Sequence, residues 1–108
     1  MRNTKVPAFQ DTYGWIAARL GNYDEALDYL ESAAAALPNE PLAQFHLAET
    51  YAGLGRKVEA VVTYQKVLDL QKEGSSPAYL ERVNAEMVRL KAEIEAEAAA
   101  EAAPEASQ

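Results

Sequence analysis

Apolar residues along residues 7–72 recur every three or four positions and never alternate, so the pattern predicts helices throughout. Tyr13, Ala17 and Leu20 form one stripe, and Ala26, Leu30, Ala33 and Leu37 form the next, with a turn signal at Gly21 between them. The same plan then repeats thirty-four residues on, without a gap. Pro7 pairs with Pro41, Tyr13 with Leu47, Gly14 with Ala48, Ala17 with Tyr51 and Leu20 with Leu54. The register continues through Gly21 and Gly55, Glu25 and Glu59, Ala26 and Ala60, Leu30 and Tyr64, Ala33 and Val67, and Ala34 and Leu68. A period of this length marks a solenoid, in which each unit buries its apolar face against its neighbour.

The breaks have chemical causes. Gly21 and Gly55 suit the left-handed backbone that ends a helix. Asn22 stands where it can cap the following helix, with Glu25 in the capping-box position. Pro38 marks a stop, and Asn39 and Pro41 a start, because proline lacks only a donor that would be unpaired there. The matching start in the second copy is weaker, since Arg56 and Lys57 place positive charge at the positive end of a helix dipole. Two helices joined by a short glycine turn pack antiparallel, and the small residues Gly14, Ala48, Ala26 and Ala60 fit their close crossing.

These residues resemble the tetratricopeptide repeat family over residues 7–72. The first copy supplies Tyr13-Gly14, Ala17, Gly21, Tyr23, Ala26, Leu30, Ala33 and Pro38, and the second Leu47-Ala48, Tyr51, Gly55, Ala60, Tyr64, Val67 and Leu70. Gln10 and Gln44 replace the family's first tryptophan, and Lys72 the second closing proline. The resemblance implies an all-α, right-handed helical-repeat solenoid. Residues 7–40 and 41–74 are the two helix-turn-helix units, 75–100 a long C-terminal capping helix, 1–6 a linker and 101–108 an acidic, alanine-rich disordered tail. The Asp11–Trp15 and His46–Ala48 stretches also resemble the C-terminal end of longer bacterial members.

The third unit begins with Ser76 as cap and Pro77 at the first helical position, then abandons the pattern: Glu81 and Arg82 replace the Leu-Gly pair, and Arg89 replaces the turn glycine. Leu80, Val83, Met87, Leu90 and Ile94 form a single stripe, as a capping helix needs. The spacing also suits a coiled coil, but barely two heptads favour capping. From Glu93 on, Glu93, Glu97, Glu101 and Glu105 stack like charges near the negative end of the dipole, and fraying is expected beyond Ile94. Two repeats and a cap are marginal for independent stability, and Val6, Phe9 and Tyr13 follow the first residue with no N-terminal cap. An upstream repeat or a second copy is therefore expected against that end.

Composition narrows the function. Of seventeen acids, five lie in residues 92–108, so residues 1–91 carry ten bases and twelve acids, a net −2. No basic stripe matches a row of phosphates, which argues against nucleic acid and anionic membrane. No run is long and apolar enough to span a bilayer, and residues 1–15 lack the apolar segment of a secretory signal, so any such signal is absent or was removed. The residues do not encode the compartment, which is expected to be cytoplasmic, or periplasmic if a signal was removed from a longer parent. Without cysteine there is no disulfide, thiolate zinc site or cysteine nucleophile. His46 is the only histidine and reads as a structural residue, Gly53 and Gly55 follow no strand and so make no phosphate loop, and Asp24 and Asp28 read as solvated charge. No cofactor, metal or catalytic role is expected.

The resemblance instead implies a protein- or peptide-binding scaffold. In the family the first helix of each pair lines a concave face. By register this face holds Ala8, Asp11, Trp15 and Ala18, then Leu42, Phe45, Glu49 and Ala52. Trp15 and Phe45 are of the type that anchors interfaces. Trp15 could equally pack against an upstream repeat, and Phe45 is expected to pack against Tyr79. Relatives that grip a peptide's C-terminal carboxylate use lysine and asparagine at these places, so the resemblance does not extend to that role. The alternative is self-assembly, with exposed repeat ends pairing into a homodimer.

Overall fold

Pro7 and Pro41 each occupy the first turn of a helix, α1 (Pro7–Arg19) and α3 (Pro41–Gly53). Both helices end by one device. After Leu20, Gly21 takes φ 87° and donates to the Ala18 carbonyl at 3.0 Å, while the Asn22 N–H reaches the Ala17 carbonyl at 2.9 Å. After Leu54, Gly55 at φ 80° and Arg56 repeat both bonds onto Ala52 and Tyr51, at 3.0 and 2.9 Å. This double closure needs a left-handed residue, which glycine supplies without steric cost.

The next helix starts immediately, as α2 (Tyr23–Ala36) and α4 (Lys57–Asp69). Asn22 occupies the cap position, but its side chain makes no capping bond. Its backbone, at φ −88° and ψ 66°, lies outside the extended region from which a cap side chain reaches the helix. The cations at the start of α4 are offset by Glu59, which accepts from the Arg56 Nε and Nη2, both at 2.6 Å. A carboxylate thus stands in the first turn of α4, where the dipole favours it.

The computed structural model describes residues 6–71 and 78–102, and these residues form five α-helices and no strand. The all-α helical repeat is as the sequence predicts. Each helix packs on the next, and α1 also lies against α3, so the second pair stacks on the first. The crossings are as tight as the small residues imply: Ala26, Ala48 and Ala60 are fully buried. A Cβ built on Gly14 would lie 2.7 Å from Leu30 Cγ and 3.1 Å from Tyr29 Cβ. Two core clusters follow the repeat. Ala17, Ala18, Ala26, Leu30, Ala34 and Leu47 fill the first, and Phe45, Ala48, Ala60, Tyr64 and Val67 fill the second.

The last helix, α5 (Tyr79–Ala102), packs on α4 and completes the second core with Val83, Met87 and Leu90. Its stripe is spent inside the chain, which is capping and not an open coiled-coil seam. Lys72, Ser76 and Pro77 lie outside the described residues. The helix continues past Ile94, as the 75–100 assignment has it. It runs to Ala102, so residues 101–102, assigned to the tail, are helical, while 103–108 lie outside the described residues. Like-charge stacking is relieved because Lys57 of α4 pairs with Glu93 at 3.3 Å and also with Glu97, and Arg89 pairs with Glu93 at 2.9 Å.

Gly14→Ala tests the crossing. On an isolated helix alanine would gain about 1 kcal/mol. Against the fully buried Leu30 we expect a net loss of about 1–3 kcal/mol, seen as a lower urea midpoint at unchanged slope. Ala26→Leu should behave alike.

Candidate functional site

The eight residues placed on the concave face by register divide sharply in exposure. Ala8 and Leu42 are exposed, Asp11, Trp15, Glu49 and Ala52 are half-buried, and Ala18 and Phe45 are buried. Buried side chains cannot serve as open contacts. Ala18 is absorbed by the first core, whereas Phe45 is covered because α5 lies over the α3 row. Phe45 stacks on Tyr79 with centroids 4.9 Å apart, and Ala52 packs against the same core. Packing on Tyr79 was the expected fate of Phe45.

Trp15 remains partly open, and its position is fixed from beneath. Its indole stacks on the His46 imidazole at 4.2 Å and 15°, and lies 6.2 Å from the Phe45 ring. His46 is in turn held by Asp11, whose Oδ1 lies 2.8 Å from Nδ1. An aromatic row, Trp15, Phe45 and Tyr79, therefore runs from α1 across α3 to α5.

Both acidic residues of this face have side-chain partners. Asp11 is engaged by His46. Glu49 accepts from Arg82 through Nε and Nη2 at 2.7 and 2.8 Å, and from the Tyr64 hydroxyl at 2.7 Å. Burial, reinforced by the Glu49 carboxylate, pushes the Tyr64 phenol far above its usual range. The bonds to Glu49 raise the Arg82 guanidinium above its already high value. Burial and then Glu40 also raise Tyr79.

Two basic groups border the row. Arg19 places its guanidinium 5.9 Å from the Trp15 centroid, and Arg82 rises from α5. With Trp15, Ala18, Tyr23 and Glu49 they line an open depression of about 250 Å³. Sequence reasoning missed Arg19, Arg82, His46 and Tyr23 as members of this site. Arg82 read only as a break in the pattern, yet that break is what brings a cation onto Glu49. Arg19, four residues after Trp15, was in principle legible as a same-face neighbour. Among the described residues no three potential metal ligands converge, and no helix is long and apolar enough to cross a membrane.

A family model described as Tetratricopeptide repeat matches residues 17–83, from the last turns of α1 into α5. A search of curated proteins finds no match.

The Glu49 node makes a stability prediction. Glu49→Ala leaves the buried Tyr64 hydroxyl without its acceptor and should cost about 1–3 kcal/mol in urea unfolding. Glu49→Gln should cost less, since it retains an acceptor, and Tyr64→Phe combined with Glu49→Ala should cost less than the sum of the two single changes.

Proposed function

This chain belongs to the tetratricopeptide repeat family, whose repeats generally mediate protein–protein interaction, and on that ground we propose that it is a non-catalytic scaffold that holds an extended segment of a protein partner across the aromatic row of α1, α3 and α5. The supporting observation is Trp15, a half-open indole held by the His46 stack and the Asp11 bond. Side chains ordered before binding lose little entropy on binding, and tryptophan concentrates interface energy. Ala8, Asp11, Trp15, Leu42 and Glu49 are the register-predicted residues that keep a route to the partner, while Ala18, Phe45 and Ala52 support the floor.

A second reading is favoured by a different face. Val6, Phe9, Tyr13, Ile16 and Leu20 of the α1 edge are 44–72% exposed, and Tyr13 stacks on Tyr29 at 4.8 Å beside them. Two such edges meeting would remove on the order of 1,000 Å² from water, the lower range of specific interfaces. A second copy is the occupant this reading takes, with a symmetric dimer as product.

Selection of displayed peptides on the immobilised chain tests the first reading. Selected peptides should bind Trp15→Ala at least tenfold more weakly and Ile16→Lys equally well. Peptides that respond to Ile16→Lys and not to Trp15→Ala would overturn the groove assignment. Sedimentation decides the second reading: a dimer dissociated by Ile16→Lys supports it, and a monomer at all concentrations removes it.

A further inference from the structure

We propose that the depression beside Trp15 is a carboxylate subsite, which takes an internal aspartate or glutamate side chain of an acidic segment between Arg19 and Arg82. The inference rests on the groove reading above and specifies the chemistry of its ligand. Its first support is a charge imbalance. Among the described residues Arg19 has no ion-pair partner, and its nearest aromatic neighbour is the Trp15 ring. Arg82 is paired, but Glu49 takes only two of its five N–H donors, and its side chain is 56% exposed. Within the depression two guanidiniums therefore face a single carboxylate, which already accepts two bonds from Arg82 and one from the Tyr64 hydroxyl.

Among the described residues no neighbouring acid pairs with Arg19. Asp11 is engaged by His46, and Glu86 is drawn to Arg89. The site is also shaped for a side chain. Its volume of about 250 Å³ accommodates a carboxylate and its methylene stem, and Trp15 offers a flat apolar wall for that stem. Tyr23 closes the far side, with its ring over Gly53, where a built Cβ would lie 2.5 Å from it. Neither arginine stands at a position that the repeat register assigns to the concave face. Arg19 lies one residue beyond Ala18, and Arg82 comes from the helix that departs from the pattern.

Charge-assisted bonds from a guanidinium to a carboxylate are the stronger class of hydrogen bond, and a partly desolvated indole alongside limits competition from water. Discrimination between a glutamate and its uncharged glutamine counterpart should be about tenfold at low salt and should shrink as salt screens the exposed arginines.

Trp15 is the only tryptophan, so its fluorescence reports the site directly. Three acetylated peptides matched in length serve as probes. One has internal glutamates and an amidated end, one has glutamine in their place, and one has glutamine with a free C-terminal carboxylate. The first should bind about tenfold more tightly than the second at low salt. Arg19→Gln should abolish that preference with unchanged thermal stability, and Arg19→Lys should retain part of it. Preference for the third peptide over the first would overturn the assignment to an internal side chain. Equal, Trp15-dependent binding of all three would overturn the carboxylate subsite while leaving the groove intact. No binding by any of them would overturn both. A glutamate preference untouched by Arg19→Gln would also overturn the proposal, because it would place the recognition elsewhere.

Discussion

The structure depends on how closely two helices can approach when no side chain stands between them. At Gly14 there is no room for a single methyl group against Leu30, and Ala26, Ala48 and Ala60 are sealed completely. The chain reverses within the three residues between paired helices, where the left-handed Gly21 and Gly55 close the preceding helix with two backbone bonds. Turn and crossing are thus one constraint. The turn sets the antiparallel pair, and the small residues set its separation. That separation also positions the large residues one register later, Leu30 and Tyr64, as the centres of successive cores.

From that geometry the candidate site follows by consequence. Stacking the second pair on the first brings α1 beside α3, which lays Trp15 over His46 and His46 against Asp11. Placing α5 on α4 then carries Tyr79 onto Phe45 and Arg82 onto Glu49. The second core and the groove therefore share Glu49, which satisfies the buried Tyr64 hydroxyl on one side and organises Arg82 on the other. A group with both duties ties the surface to the fold: the half-exposed Arg82 is oriented by a carboxylate whose other role is to satisfy the interior.

Backbone architecture was readable from residue order because it rests on local rules. The thirty-four-residue register, the two turn glycines and the small crossing residues each identify themselves. Readings that rested on a single side chain fared less well. Asn22 has the chemistry of a cap but not the backbone angle, because the closing bonds of the preceding turn fix its conformation first. The glutamates after Ile94 looked like a repulsive run until a lysine from another helix entered the account. The candidate face was half legible: the register puts Trp15 and Glu49 on one face and Phe45 against Tyr79, but nothing in linear order reveals that His46 rises beneath Trp15 or that Arg82 reaches Glu49. With Asp11 bonded to His46 and Glu49 to Arg82, Arg19 is left as the cation on this face without an ion-pair partner among the described residues.

The α1 edge and the depression at Trp15 differ in kind of construction. The α1 edge presents Phe9, Ile16 and Leu20 with little polar punctuation, resembling a helical-repeat core opened between units. A face of that sort rewards any well-shaped apolar surface and discriminates mainly by fit. The depression at Trp15 is bordered by Arg19, Arg82, Tyr23 and Glu49, where a wrong ligand leaves donors unpaired and a right one does not. Apolar area favours association, and unsatisfied polar groups impose selectivity. By that reasoning the edge is suited to assembly with another helical unit and the groove to recognition, so the two readings of the molecule concern separate surfaces and can hold in the same chain.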